Sequence, residues 1–186
     1  MQQIPLPDQS EAASQQARES VRHGQSVAVL FRLGSEFLAV NASVVQEITF
    51  MARLSTPSGL PPMIAGFLNL AQRPIPVFRL DRLLSLPESK PGLYSQILIL
   101  RDGEGPPVGW MVDGVTHIIP VRQEEVLPVP ENHCFRDCAK GIFTVNDTPI
   151  SILAPDRVLL EKERRCMLDF QVREQERLSE LEHAQP

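Results

Sequence analysis

The chain has 186 residues, 42% hydrophobic and 22% charged, with a formal net charge of −5. That length suits one ordinary domain, or two small barrels sharing a core, with about 70% of the unfolded surface buried. Its apolar runs fall far short of the roughly 20 residues of a membrane span, and its longest basic cluster is the Arg164-Arg165 pair, too few cations for a phosphate backbone. Nucleic acid and direct membrane insertion are thus not expected, and a start of MQQIPLPDQSEAASQQ, with no basic or apolar block, predicts a cytoplasmic protein.

Residues 1–24, rich in Gln, Ser and Ala, read as a flexible or helical arm, with Asp8 as a helix cap and Gly24 as a stop. Short β-type runs follow. Val27–Leu33, Gly34-Ser35 and Phe37–Val40 predict a tight hairpin. Asn41-Ala42-Ser43 opens a short helical turn carrying Val44, Val45 and Ile48, and the chain then extends toward Thr56. The stretch Pro61–Leu84 is the most distinctive: Ile64–Leu70 and Pro74–Leu80 form strands around a turn at Gln72-Arg73, with Asn69-Leu70 read as a buried pair. Pro74 and Pro76 lack N–H groups, which puts their strand at an edge or bulge, and Asp81 is placed to cap a helix over Arg82–Leu86.

After the loop at Pro87–Gly92 come runs at Ser95–Leu100 and Val108–Val112. Asp113-Gly114 is the chemistry of a two-residue hairpin joining Val112 to Val115–Val121, and Asn146-Asp147 joins Gly141–Val145 to Pro149–Leu153. About five strands in each half predict a mainly β fold of two packed five-stranded barrels, one over about 25–88 and one over about 93–154, within a domain at 25–160. From Pro155 the pattern turns helical. Arg157–Glu182 lacks Pro and Gly, which predicts a long C-terminal helix and tail over 155–186, its first turns packed on a barrel and its later part a candidate for self-association.

Cys134, Cys138 and Cys166 make an odd count, which implies no disulfide framework. Cys134 and Cys138 beside His133 are half of a zinc set, completed only if His117 or Cys166 comes near. A metal- or redox-responsive β-barrel using Cys134 and Cys138 is therefore the alternative reading, although no resident metal or cofactor is expected. The chain has no Gly-rich phosphate loop, nucleophile elbow or paired-His helix, and its four His residues stand apart. An enzyme is not expected.

Leu30-Phe31-Arg32-Leu33-Gly34, Val44-Val45-Gln46-Glu47-Ile48, Thr56-Pro57, Ile64-Ala65-Gly66-Phe67-Leu68-Asn69-Leu70, Ile75-Pro76-Val77, Gly109-Trp110-Met111-Val112-Asp113-Gly114-Val115 and Gly141-Ile142 occur in an order that resembles the CheW chemotaxis coupling proteins. The resemblance covers roughly residues 26–162. It implies two SH3-like barrels and a non-catalytic adaptor in a chemoreceptor array, coupling the cytoplasmic tip of a chemoreceptor to the regulatory domain of a CheA-type histidine kinase. It also implies a receptor-binding set of Val45, Glu47, Ile48, Asn69 and Leu70, with Val108 and Trp110 opposite, and Arg73, two residues beyond the place of the family's Arg, is added to that set. On the residues alone, Val45 and Ile48 are three apart on a helical turn and present one apolar patch, either to a partner helix or to the core. The chain departs from the family's Asn-Leu-Arg-Gly at Asn69-Leu70-Ala71-Gln72, so the Arg that pairs with the Glu in the family is gone from its place, and Glu47 is left either unpaired or served by Arg73 or Arg79.

Overall fold

The computed structural model describes residues 25–101, 105–159 and 161–183, and the side chains of residues 161–166 and 181–183 lie outside the description. The expected N-terminal arm and the Asp8 cap lie outside the described residues too. Among the described residues ten strands run in the order β1 (Gln25–Leu33), β2 (Glu36–Asn41), β3 (Val45–Phe50), β4 (Ile64–Leu70), β5 (Arg73–Arg79), β6 (Gln96–Leu100), β7 (Val108–Val112), β8 (Gly114–Arg122), β9 (Ala139–Val145) and β10 (Thr148–Leu153). The α-helices among the described residues are α1 (Leu80–Leu83), between β5 and β6, and, after β10, α2 (Pro155–Val158) and α3 (Glu161–His183).

The strands form two five-stranded sheets with orders β8-β1-β2-β10-β9 and β3-β6-β7-β5-β4. Two expectations are corrected here. The sheets are open ladders and not closed barrels, and neither is a continuous piece of chain. β1 and β2 leave the first half to join the sheet of β8, β9 and β10, while β6 and β7 leave the second half to join β3, β4 and β5. The division at about 25–88 and 93–154 therefore does not describe how the sheets assemble.

The reason lies in strands buried on both faces. Side chains alternate across a strand, so β1 sends Val29, Phe31 and Leu33 into the large core between the sheets and Ala28 and Leu30 into a smaller core on the other face. β6 divides likewise: Leu98 and Leu100 enter the shared core, and Ile97 and Ile99 enter a local one with Ile75, Val77 and Met111. A strand with apolar side chains on both faces needs a layer over each, and β1 and β6 each also have a strand on either side within their sheets.

Turns follow local chemistry where the flanking strands pair. Gly34-Ser35 closes β1–β2 with Leu33 opposite Glu36, and Asn146-Asp147, both left-handed at φ 47° and 62°, closes β9–β10. The β4–β5 turn is Ala71-Gln72, one residue earlier than expected, since Leu70 faces Arg73. Asp113-Gly114 makes no hairpin: β7 and β8 lie in different sheets, and the pair carries the chain between them. β5 is interior, yet β7 pairs with it only at Val77–Arg79, so Pro74 and Pro76 sit where no N–H is owed to that neighbour.

Two further corrections concern helices. Asp81 does not cap α1; it turns back to Arg79. The helical tail is interrupted, because Leu159 is extended (φ −100°, ψ 125°) between the single turn α2 and the 23-residue α3. Val158, Leu159 and Met167 around this break are buried in the shared core.

Candidate functional site

The Val-Gln-Glu-Ile segment lies on a strand and not on a helical turn. A 3-10 turn occupies Ala42–Val44, opened by Asn41, whose side-chain oxygen accepts the Ser43 N–H at 2.9 Å. β3 follows with a bulge at Gln46: Val45 faces Leu100, Glu47 faces Ile99 and Ile48 faces Leu98. Three apart on a regular strand, Val45 and Ile48 would point to opposite faces. The inserted residue restores them to the face of Leu98 and Leu100, where both pack half-buried against the shared core. Glu47 is exposed. Neither Arg73 nor Arg79 pairs with it among the described residues.

The β4–β5 hairpin carries three more candidates. Asn69 is exposed, which corrects the expectation of a buried Asn-Leu pair, and Leu70 is half-buried against the local core. Ala71 and Gln72 both hold left-handed backbone, at φ 46° and 63°, a conformation that costs an ordinary side chain about 1–2 kcal/mol. Arg73, exposed, opens β5.

Helix α3 lies across this hairpin. The Gln171 side-chain amide donates to the Pro74 carbonyl at 3.0 Å, and that of Gln175 to the Gln72 carbonyl at 3.3 Å. Arg177 donates to the Ser55 hydroxyl at 3.0 Å and to both carboxylate oxygens of Glu174, at 2.6 and 3.0 Å. Glu174 is buried, and the hydrogen bonds from Arg177 outweigh that burial to hold its carboxyl below the usual carboxylate range.

The helix thereby separates two surface cavities. One, of about 470 Å³, takes in Asn69 with Arg53, Ser55, Glu174 and Arg177. The other, of about 450 Å³, takes in Arg73 with Arg101, Pro74, Gln171 and Gln175. Arg101 directly follows β6 and donates its N–H to the Val44 carbonyl at 2.8 Å. Asn69 and Arg73 are thus neighbours of α3, and Arg101 ties the Arg73 cavity to the start of β3.

Val108 and Trp110 stand apart from that arrangement. Trp110 is 0% exposed and faces Leu98 and Phe78 in the middle of its sheet, so it has no surface to offer a partner, a correction to its place in the set. Val108 is half-buried in an apolar cavity of about 250 Å³ with Leu159, Met167 and Leu168, against the C-terminal segment. Sequence reading missed Arg53, Ser55, Arg101, Gln171, Glu174 and Arg177. Only the i,i+3 spacing of Glu174 and Arg177 signals anything beforehand, and it predicts an exposed pair.

The cysteine region offers little chemistry. Cys134 is exposed and Cys138 half-buried, both free thiols, and burial followed by the nearby Asp137 charge pushes the Cys138 thiol up, away from the reactive thiolate. His133 Nδ1 accepts the Phe135 N–H at 3.1 Å while Nε2 lies 3.4 Å from the Ser151 hydroxyl. His117 is exposed on β8. Among the described residues no three His, Cys, Asp or Glu side chains are grouped as a metal site requires, and the Cys166 side chain is not among them. No described helix is long and apolar enough to cross a membrane.

Known proteins are similar to this chain in sequence and in fold. The model of the CheW-like domain matches residues 27–163. The "Chemotaxis protein CheW" of Rhizobium meliloti (strain 1021) is 23% identical over 152 residues, 81% of this chain and 97% of that protein. The "Chemotaxis protein CheW" of Bacillus subtilis (strain 168) is 31% identical over 113 residues, 60% of this chain and 70% of that one. In structure, the scaffolding protein TtCheW of Thermoanaerobacter tengcongensis shares the fold, with a TM-score of 0.66 at 24% identity over 70% of this chain and 85% of that one.

Proposed function

The chain belongs to the CheW-like family, and on that premise we propose that it is a non-catalytic adaptor coupling the cytoplasmic tip of a chemoreceptor to the regulatory domain of a CheA-type histidine kinase. The single observation that carries this reading is the family match over residues 27–163, which takes in both sheets from β1 to the start of α3. Scaffolding is the role named for the structural neighbour and chemotaxis the process named for the sequence relatives.

In this reading the receptor-binding surface is built from exposed Glu47 on β3 and from Asn69, Leu70 and Arg73 on the β4–β5 hairpin. Val45 and Ile48 serve it by anchoring β3 to the core, so that the Glu47 carboxylate is presented from a rigid strand. An exposed carboxylate and an exposed guanidinium on separate strands suit a partner helix with charges of both signs, and such charges set register and specificity more than raw affinity. The adaptor works in the cytoplasm, at receptor arrays held in the membrane by their receptors.

The test is capture of the full chain by two separate baits from the same genome, a CheA-type regulatory domain and a chemoreceptor tip fragment. Binding to both is expected. A folded protein that binds neither would overturn the adaptor reading.

A further inference from the structure

Helix α3 displays what the β4–β5 hairpin accepts. Gln171 and Gln175 are four apart and so share one helix face, and both donate to main-chain carbonyls of the hairpin, those of Pro74 and Gln72. Arg177, further along the helix, reaches the Ser55 hydroxyl. The hairpin and the 51–56 segment thus contribute two carbonyls and a hydroxyl. Another helix with donors at the same spacing would satisfy them equally.

The attachment is built to be reversible. Glu174, 3% exposed, has its ion-pair partner Arg177 on the same helix. If α3 leaves, that pair leaves with it and the hairpin keeps no buried charge, so the cost that normally locks a buried pair in place is absent. Apolar sealing is confined to the first turn of α3, where Met167 is buried in the shared core and stays in place; along the part that meets the hairpin it is sparse, with Val172 58% exposed and Leu168 beside Met167 42% exposed. The carbonyls and hydroxyl left behind can rebond to water, so each exchange changes the free energy little.

We propose that α3 is the intramolecular occupant of a helix-docking face on the β4–β5 hairpin. The partner that fits this face is a helix presenting amide donors at i and i+4 followed by an arginine, and it binds by displacing α3. The proposal rests on the adaptor reading for the partner's identity, and α3 lies almost wholly beyond the family match, which ends at residue 163. Because affinity falls by the fraction of molecules with the face open, an α3 docked about 90–99% of the time would weaken binding about 10- to 100-fold.

The test uses the full chain in three forms: wild type, Gln171→Ala/Gln175→Ala to loosen α3, and Gln72→Cys/Gln175→Cys joined by a short bismaleimide to fasten it, with wild type given the same reagent as control. Two probes are titrated, a chemoreceptor tip fragment and a labelled synthetic peptide of residues 161–183. The expected result is that the loosened form binds the tip about 3- to 10-fold more tightly than wild type and also takes up the peptide, while the fastened form loses at least about tenfold for both. Equal binding of the tip by loosened and fastened forms would overturn the proposal. If no form binds the tip, the adaptor reading falls and the peptide decides the docking face: uptake by the loosened form alone upholds it, and no uptake by any form overturns it.

Discussion

Arg79 and Asp81 share two hydrogen bonds, of 3.0 and 2.6 Å, at the junction of β5 and α1, and Asp81 is 1% exposed. The pair begins a polar chain between the sheets. Asp81 accepts the Ser89 N–H at 2.9 Å, the Ser89 hydroxyl donates to Asp113, and Asp113 accepts the Gly34 N–H of the β1–β2 turn at 2.6 Å. Removing the Asp81 charge leaves Arg79, whose side chain is 12% exposed, without its main partner. Asp81→Asn is expected to lower stability by about 3 kcal/mol, read as a shifted midpoint in urea unfolding at unchanged slope. A shift under about 1 kcal/mol would show that the pair is replaceable.

Acid should expose the same dependence. Burial pushes the Asp81 pKa up, but the Arg79 hydrogen bonds, the Ser89 N–H and the Arg79 charge together hold it below its ordinary value, and Arg177 does the same for Glu174. A carboxylate lowered on folding adds stability that is complete above its unfolded pKa of about 4 and is lost as pH falls through the lower folded value. The contribution of these two carboxylates should therefore be level from pH 7 to about pH 5 and decline below about pH 4. In Asp81→Asn that decline should be shallower.

The left-handed Ala71-Gln72 turn offers a stabilising change. Gln72→Gly removes side-chain strain at φ 63° while keeping the carbonyl that Gln175 binds. Thermal unfolding should show a gain of about 1 kcal/mol. A loss would mean that the Gln72 side chain contributes more than its backbone costs.

Trp110 and Glu47 should behave oppositely. Trp110→Ala opens a cavity in the shared core and is expected to cost about 3–5 kcal/mol of stability. Glu47→Arg changes an exposed strand position, so unfolding should be unaltered while receptor-tip binding weakens by about 1 kcal/mol or more, as for an interface hot spot. Unchanged tip binding in Glu47→Arg would remove Glu47 from the surface.

Gly66 tests the close approach of β4 to the preceding segment. A Cβ there would lie 2.6 Å from the Ser55 carbonyl oxygen and 2.8 Å from the Leu54 Cβ, at a φ of 153°. Gly66→Ala should therefore cost about 2 kcal/mol or more and loosen the Ser55–Phe67 bridge, which amide exchange at Phe67 would report.

What the sequence determined by itself was local. Alternation and turn chemistry located the β1–β2 and β9–β10 hairpins to within about two residues, and the ordered motifs from Leu30 to Ile142 pointed to the CheW family, because dihedral preference and side-chain direction are set by near neighbours. Tertiary structure alone decided the rest. Which sheet receives β1, β2, β6 and β7, whether Asp113-Gly114 turns back or crosses over, why the bulge at Gln46 sends Val45 and Ile48 inward together, and where α3 comes to lie all depend on partners distant in the chain. Gln171 meets Pro74 across 97 residues, and Asp113 meets Gly34 across 79. The local pattern is the same whether or not such a contact forms; burying both faces of β1 and β6 at once selects the arrangement in which it does.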